Sequence, residues 1–406
     1  MQYRKFGKLD WEVSALGFGA MRLPVIGNDT ANIDEPESTR MIRYAIDHGV
    51  NYVDTAYPYH DGESEVLVGK ALKEGYREKV YLTTKSPMWL IKKREDFDQY
   101  FNEQIQRLQT NPDIYLFHGL NQERFEKIKN LNLIQKMEEL KASGAIKYFG
   151  FSFHAGFDVF KEIIDYYQWD CCQIQHNYID INFQAGTKGL QYAGKKGIAV
   201  IIMEPIRGGK LAIPEHKLNT KPEIKKVLEN ATVKRSMADW ALQFLWNQPE
   251  VSLVLSGMSN MQHVIENVES ANNSGINILT EEELHTIKEL RKAYKKQDIV
   301  PCTNCGYCMP CLNGVSIPNV LSLVNEVAYW GESAKMRIAF FYNRMVKTPE
   351  ELEAKKANGE EYEGAAALCI QCGECVDKCP QGINIPEMME KANAIFKEDK
   401  KVSEVL

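Results

Sequence analysis

Most of the cysteines of this chain lie in two short runs, and their spacing suits the binding of a soft metal centre. The runs hold eight of the ten cysteines, namely Cys302, Cys305, Cys308 and Cys311, then Cys369, Cys372, Cys375 and Cys379. In both runs the first three cysteines have the same spacing, and a glycine, an isoleucine and a proline follow the fourth at matching positions. The two runs therefore indicate an internal duplication.

Four thiolates suit either zinc or an iron–sulfur cluster. The second run, with Pro380 after it, matches the bacterial ferredoxin pattern C-x2-C-x2-C-x3-C-P, whereas structural zinc sites pair two C-x-x-C knuckles across a longer loop. The spacing thus predicts two [4Fe–4S] clusters. In two-cluster ferredoxins the fourth cysteine of each run serves the other cluster, which would pair Cys379 with the first run and Cys311 with the second. The first run departs from the pattern because Pro310 precedes Cys311, which could alter the loop or its fourth ligand.

A second group of reactive side chains lies at the ends of apolar segments: Asp54, Tyr59, Lys85 and His118. A tyrosine titrates near pH 10, and an adjacent ammonium lowers that pKa by stabilising the phenolate. Lys85 could supply the charge, Asp54 could hold the lysine, and His118 could orient a carbonyl while Tyr59 delivers a proton. Taken singly, each also has an ordinary structural explanation: Asp54 and Lys85 could be an ion pair, Tyr59 a loop aromatic, and His118 a hydrogen-bonded histidine.

The elements that would position these residues are eight apolar segments that alternate with amphipathic helical stretches. The segments are 15–21, 51–55, 80–85, 113–118, 146–152, 172–175, 198–203 and 251–256. Eight strand–helix units predict an α/β fold with a (β/α)8 TIM barrel, whose active sites lie at the C-terminal strand ends. A doubly wound sheet is the rival. The opening segment, with Gly7-Lys8-Leu9-Asp10 between two short strands, predicts a hairpin that could plug the barrel bottom.

The predicted organisation is a barrel over 1–280, a linker helix over 281–298 and a smaller, mainly helical iron–sulfur domain over 299–406. The 406 residues carry a net charge of −6 and 44% hydrophobic content, which suits a sizeable core. We see neither a signal segment nor an apolar run of the roughly 18 residues that span a membrane. Cluster thiolates also require a reducing compartment, so a cytoplasmic location is expected, with no membrane or nucleic-acid partner.

The motifs DTAYPY, TTK and LFHG at three consecutive strand ends, with LGFGAMRLP at the first strand, resemble the aldo-keto reductases. The resemblance covers residues 1 to about 275. It implies the (β/α)8 barrel, the reduction of a carbonyl (or oxidation of an alcohol) with a nicotinamide cofactor, and an Asp, Tyr, Lys, His tetrad at Asp54, Tyr59, Lys85 and His118.

The same resemblance implies the cofactor contacts. Ser152 and Gln175 would bind the nicotinamide carboxamide, and Met203 stands at or near the position of the usual ring-stacking aromatic. Arg207, Gly208 and Gly209 would line the pyrophosphate loop, and Glu266 with Asn267 would contact the adenine. Ser259 and Asn260 replace the Arg or Lys of NADP-specific members. A 2′-phosphate needs nearby positive charge, so NADH is favoured over NADPH.

The whole chain resembles aldo-keto reductases fused to a 4Fe–4S dicluster domain. Hydride carries two electrons together, whereas a [4Fe–4S] centre passes one, so direct exchange usually needs a mediator such as a flavin. The missing aromatic near Met203 could leave room for one. Two alternatives stay open, namely a barrel driven by electrons from a ferredoxin and a redox-sensing binding module. The expected partners are a small carbonyl or alcohol substrate and a ferredoxin or other electron carrier.

Overall fold

The computed structural model of the chain describes residues 1–27, 29–295, 299–360 and 362–406. The chain divides into two compact units, one of Met1–Thr220 with Leu228–Ile287 and one of Lys221–Val227 with Lys288–Leu406. A helix spans Glu281–Lys295, and the last positions of the predicted linker, 296–298, lie outside the described residues. No helix in the described ranges combines the length and the apolar character that crossing a membrane requires.

The first unit is built on a closed parallel barrel of eight strands within the described residues. A two-stranded antiparallel hairpin, β1 (Tyr3–Lys5) and β2 (Glu12–Ser14), precedes it. The barrel strands follow in chain order around the ring, and the last pairs with the first. They are β3 (Leu16–Gly19), β4 (Tyr52–Asp54), β5 (Tyr81–Ser86), β6 (Ile114–Leu120), β7 (Tyr148–Phe153), β8 (Cys171–Gln175), β9 (Ala199–Met203) and β10 (Val251–Ser256). The predicted barrel is confirmed and the doubly wound alternative is wrong, because the sheet closes through β10 and β3.

Helices surround the barrel because their apolar residues recur at three- and four-residue spacing and cover the strands. In α1, for example, Met41, Ile42, Ala45 and Ile46 are buried. The helices of this unit are α1 (Glu35–Asp47), α2 (Glu63–Ala71), α3 (Arg94–Leu108), α4 (Gln122–Asn130), α5 (Leu133–Ala142), α6 (Phe157–Tyr166), α7 (Gly186–Lys195), α9 (Met237–Trp246) and α10 (Met261–Asn272). Most of α8 (Pro222–Glu229) belongs to the second unit, and α11 (Glu281–Lys295) is divided between the two units.

The hairpin covers the N-terminal ends of the barrel strands with aromatic side chains. Phe6 stacks on Trp11 at 4.4 Å between ring centroids, and Trp11 stacks on Tyr81, at the start of β5, at 3.6 Å. Gly7 lies against the start of β9, where a Cβ would be 2.5 Å from the backbone nitrogen of Ala199, so only glycine fits this turn. This end is therefore closed by packing, which leaves the C-terminal strand ends for chemistry.

The second unit is helical with a small core of its own. Its helices after the linker are α12 (Ile317–Trp330), α13 (Glu332–Tyr342), α14 (Pro349–Ala357), α15 (Ile385–Phe396) and α16 (Val402–Val405). Val320, Leu321, Val324 and Val327 give α12 a buried apolar stripe within the cluster of side chains that also contains Ile395 of α15. The two cysteine runs precede α12 and α15, so each helix of this pair follows one copy of the duplication.

Candidate functional site

Three of the four predicted catalytic side chains meet at the C-terminal ends of β4 and β5. Asp54 ends β4 and Lys85 lies on β5, and the paired strands bring Lys85 Nζ to 2.6 Å from Asp54 Oδ1. The same ammonium donates to the Thr55 carbonyl at 2.8 Å and lies 3.4 Å from the Tyr59 hydroxyl. Lys85 is 1% exposed and Tyr59 9%, so this charge acts on the phenol with little screening by water.

His118, on β6, completes the group from the neighbouring strand. Its ring meets the Tyr59 ring edge-on at 6.1 Å and the Trp89 ring at 5.1 Å between centroids. Burial, with the charge of Lys85, holds the pKa of His118 well below its ordinary value, and burial also lowers the pKa of Lys85 against the opposing effect of Asp54. His118 is therefore neutral near pH 7, and a neutral imidazole can still donate one hydrogen bond to a carbonyl oxygen.

A buried polar network contacts the backbone of Lys85, and the sequence patterns did not predict it. Glu65 of α2 is fully buried, and its Oε1 accepts from Thr84 Oγ1 and from Gln104 Nε2, both at 2.6 Å. Gln104 Nε2 also lies 3.1 Å from the backbone oxygen of Lys85, and Arg107 pairs with Glu65 at 3.3 Å. The network fixes the backbone on which Lys85 stands. The only sequence signal was a glutamate on the apolar face of SEVLVG, where a charge requires a partner.

A strained turn follows Tyr59 and was also not predicted. His60 and Asp61 have φ values of 52° and 54°, which are unfavourable for residues with a side chain, and Gly62 follows at 99°. His60 Nε2 accepts from the Leu23 backbone N–H at 3.1 Å, so Nδ1 carries the proton that it donates to the Thr30 carbonyl at 2.7 Å. These bonds tie the loop after β3 to the segment that carries Tyr59.

The predicted carboxamide-binding residues, Ser152 and Gln175, end up at the C-terminal ends of β7 and β8, and both are buried. Ser152 Oγ accepts a hydrogen bond at 2.7 Å from the backbone N–H of Gly119, the residue that follows His118. Gln175 Nε2 donates to Asp180 Oδ2 at 3.0 Å. Asp180 Oδ2 also accepts from Asn177 Nδ2 at 2.9 Å. Asp180 thus organises this side of the barrel mouth, a role that the sequence did not reveal.

The predicted phosphate loop begins where β9 ends at Met203. Glu204, Arg207 and Gly208 all have left-handed backbone conformations, with φ values of 53°, 48° and 64°. Arg207 is 4% exposed, and its Nε lies 3.2 Å from Asp180 Oδ2, so its guanidinium is engaged with a carboxylate of the same site. The loop is therefore held in a strained shape by a buried ion pair.

The predicted adenine segment forms the start of α10. Asn260 caps the helix by accepting from the His263 backbone N–H at 2.9 Å, and Ser259 Oγ lies 3.3 Å from His263 Nδ1. Glu266 is exposed, whereas Asn267 is buried and donates to Ser256 Oγ at 2.9 Å, which pins α10 to the end of β10. The two residues predicted to contact adenine therefore differ in exposure, and only Glu266 faces solvent.

The cysteine runs adopt matching backbone conformations, as a duplication requires. Asn304 and Gln371 occupy equivalent positions with φ values of 56° and 60°, and Gly306 and Gly373 both have 79°. The Met309–Pro310 peptide bond ahead of Cys311 is cis. Within the described residues, no three or more His, Cys, Asp or Glu side chains lie close enough together to hold a metal ion.

Each run has the fourth cysteine of the other run among its electrostatic neighbours. Burial raises the pKa of Cys308 to about 12, with further contributions from Cys305, Cys302 and Cys379. Burial also raises the pKa of Cys375, to which Cys369, Cys311 and Cys372 contribute. Cys379 is thus an electrostatic neighbour of Cys308 in the first run, and Cys311 of Cys375 in the second.

Comparisons with known proteins find matches for both the barrel and the cysteine-containing segment. A model of the Aldo/keto reductase family matches residues 15–292, and a model of the 4Fe-4S dicluster domain matches residues 301–384. The protein called "Uncharacterized oxidoreductase YqkF" from Bacillus subtilis (strain 168) is 28% identical over 329 residues, which cover 73% of this chain and 100% of the relative.

Solved structures match the barrel. The holo form of aldo-keto reductase AKR11C1 from Bacillus halodurans is 27% identical with a TM-score of 0.58, covering 72% of this chain and 97% of that one. An aldo/keto reductase from Klebsiella pneumoniae, in complex with NADP and acetate, is 22% identical with a TM-score of 0.57, covering 71% and 95%, and shows the fold alone. The family model spans well over half of the chain, so this chain belongs to the aldo/keto reductase family and carries a 4Fe-4S dicluster domain after the barrel.

Proposed function

We propose that this protein reduces a small carbonyl compound, or oxidises the corresponding alcohol, with Tyr59 as the general acid and base. The observation that carries the proposal is the position of the buried Lys85 ammonium, 2.6 Å from Asp54 and 3.4 Å from the Tyr59 hydroxyl. A cation at that distance favours the phenolate over the phenol, so it eases loss of the phenolic proton to a developing alkoxide. His118 donates a hydrogen bond to the same oxygen and orients it.

The bound nicotinamide would supply or accept the hydride. Ser152 and Gln175 would hold its carboxamide, Arg207 and Gly208 would shape the phosphate loop, and Glu266 with Asn267 would lie at the adenine end. Ser259 and Asn260 bring no positive charge to the start of α10, which favours NADH. The Klebsiella pneumoniae structure holds NADP, but its likeness to this chain concerns the fold alone.

Two [4Fe–4S] clusters would be held here, one by Cys302, Cys305, Cys308 and Cys379, the other by Cys369, Cys372, Cys375 and Cys311. The match to a 4Fe-4S dicluster domain and the electrostatic neighbours of the thiols support this assignment. Such clusters would couple the barrel to one-electron carriers, and the reducing conditions that they need favour the cytoplasm. Because hydride transfer moves two electrons, a flavin bound near Met203 would mediate between the nicotinamide and the one-electron clusters. An anaerobic absorbance spectrum, together with the iron, sulfide and flavin contents, tests the proposed clusters and the proposed flavin. A protein that contains no flavin would refute the flavin mediator.

Tyr59→Phe tests the catalytic assignment. The variant keeps the ring but loses the exchangeable proton, so kcat for carbonyl reduction should fall by about 10²- to 10⁴-fold with little change in KM. Tyr57→Phe is the matched control, because Tyr57 is two residues away and its hydroxyl bonds to Glu103 instead. Undiminished turnover by Tyr59→Phe would refute the proton-donor role of Tyr59. If the wild-type protein binds the cofactor but turns over no carbonyl, a redox-sensing role is favoured instead.

A further inference from the structure

A cation lies close to the reacting group without belonging to it. Arg124 is the third residue of α4, the helix that follows His118 and the end of β6. Its guanidinium carbon lies 5.6 Å from the centroid of the Trp89 ring, and Trp89 meets His118 edge-on at 5.1 Å between ring centroids. Arg124 and His118 therefore border the same indole at the C-terminal end of the barrel.

The local backbone fixes the position of this guanidinium. Arg124 Nη1 donates to the Gly119 carbonyl at 2.6 Å, and a Cβ on Gly119, which has a φ of 65°, would be 2.8 Å from the same nitrogen. Glycine thus leaves the space that the guanidinium occupies. The Asn121 side chain accepts from the Arg124 backbone N–H at 2.9 Å and caps α4. The charge is therefore built into the site, and Arg124 is only partly exposed.

The charges around His118 make Arg124 the group that suits an anion. The Lys85 ammonium is already offset by Asp54 at 2.6 Å. Burial lowers the pKa of His154 to about 4, so this neighbouring imidazole is neutral at pH 7. Burial is also the main cause of the lowered pKa of His118, and the Arg124 charge contributes to the lowering in both histidines. The field of Arg124 thus reaches the place where a carbonyl would bind.

We propose that the substrate is a carbonyl compound that also carries a carboxylate, which the Arg124 guanidinium holds while the carbonyl oxygen meets Tyr59 and His118. This inference rests on the proposed function and narrows its substrate. A planar guanidinium can donate two parallel hydrogen bonds to a carboxylate. The Trp89 ring borders both groups, so it would contact the carbon skeleton between them. The carbonyl carbon gains the hydride, its oxygen gains the Tyr59 proton, and the carboxylate is unchanged, so the product is a hydroxy acid.

The test compares acids with their uncharged esters as substrates of the full chain, reconstituted with iron and sulfide and supplied with NADH. One pair is para-carboxybenzaldehyde and its methyl ester, and the other is succinic semialdehyde and its methyl ester. We expect the wild type to prefer the acid, and Arg124→Gln to lower the acid-to-ester ratio of kcat/KM by about 10- to 100-fold, chiefly through KM for the acid. Arg124→Lys keeps the charge but loses the planar fork, so it should retain part of the preference.

Arg43→Gln is the matched control. Arg43 lies on α1, donates to the Ala71 carbonyl at 3.0 Å and lies over the Tyr76 ring at 4.7 Å, so it makes the same kinds of contact on the outer helices. Its removal should leave the acid-to-ester ratio unchanged.

Two results would overturn the proposal. One is a wild type that reduces the esters but prefers the acid in neither pair. The other is an Arg124→Gln variant that loses activity equally on acid and ester, because that is what a purely structural role of Arg124 predicts. A wild type that turns over none of the four carbonyls would instead refute the proposed function, on which this inference rests.

Discussion

The Lys85 ammonium and the Asp54 carboxylate form an ion pair of 2.6 Å in which both side chains are almost completely buried. Burial by itself would drive Lys85 towards its neutral form, and Asp54 opposes this by favouring the charge. The pair therefore keeps a cation beside Tyr59 that an isolated buried lysine would lose.

Asp54→Asn should shift the alkaline limb of the kcat/KM profile to lower pH. Without the carboxylate the pKa of Lys85 falls further, because burial is no longer opposed, so the ammonium is lost earlier as pH rises. Steady-state rates measured across pH 6 to 10 would show the shift. Lys85→Met, which has no ammonium to titrate, should lack this limb, and an unmoved limb in Asp54→Asn would contradict the account.

Stability should decrease in acid because of His154, a partly buried histidine. Burial lowers the pKa of His154 from 6.5 to about 4, so between these values the unfolded chain binds a proton that the folded protein does not. The contribution of His154 to the free energy of unfolding is complete above pH 6.5 and is lost as the pH falls towards 4.

His154→Gln should remove this dependence. Between pH 7 and pH 5 the wild type should lose about 2 kcal/mol more unfolding free energy than the variant, as measured by urea titration. The control variant His216→Gln, at an exposed position, should lose as much unfolding free energy as the wild type over the same pH range. Parallel losses in wild type and His154→Gln would show that other groups cause the acid sensitivity.

Ser259→Arg should improve the use of NADPH. The substitution places a guanidinium at the start of α10, where Ser259 and Asn260 bring no charge, and a charge-assisted bond to the 2′-phosphate should lower KM for NADPH by about tenfold. KM for NADH should change little. Asn273→Arg, at the far end of α10, adds the same charge and serves as the control. A similar gain for both variants would indicate long-range attraction rather than phosphate binding.

Cluster ligation should follow the crossed pairing. Cys311→Ala and Cys372→Ala should perturb one EPR signal of the reduced protein, and Cys379→Ala and Cys305→Ala should perturb the other, because each fourth thiol neighbours the opposite run. Cys172→Ala, in the core of β8, should leave both signals and the iron content unchanged. If Cys311→Ala and Cys305→Ala changed the same signal, each run would serve its own cluster.

Local patterns in the sequence determined the elements and the kinds of chemistry. The cysteine spacing predicted an iron–sulfur module, and the eight apolar segments predicted the barrel, because ligand spacing and side-chain periodicity are encoded over a few residues. The end of each predicted strand also placed Asp54, Lys85 and His118 on the same edge of the sheet, before any contact between them was known.

Long-range contacts decided the rest. Closure of the sheet through β3 and β10 joins segments from opposite ends of the unit, and the burial of Glu65 depends on Gln104, which lies on a different helix. The backbone strain at His60 is held by partners in the loop after β3. The duplicated cysteine loops make the same point, because Thr303 and Ile370 share a local conformation while tertiary packing buries one and exposes the other.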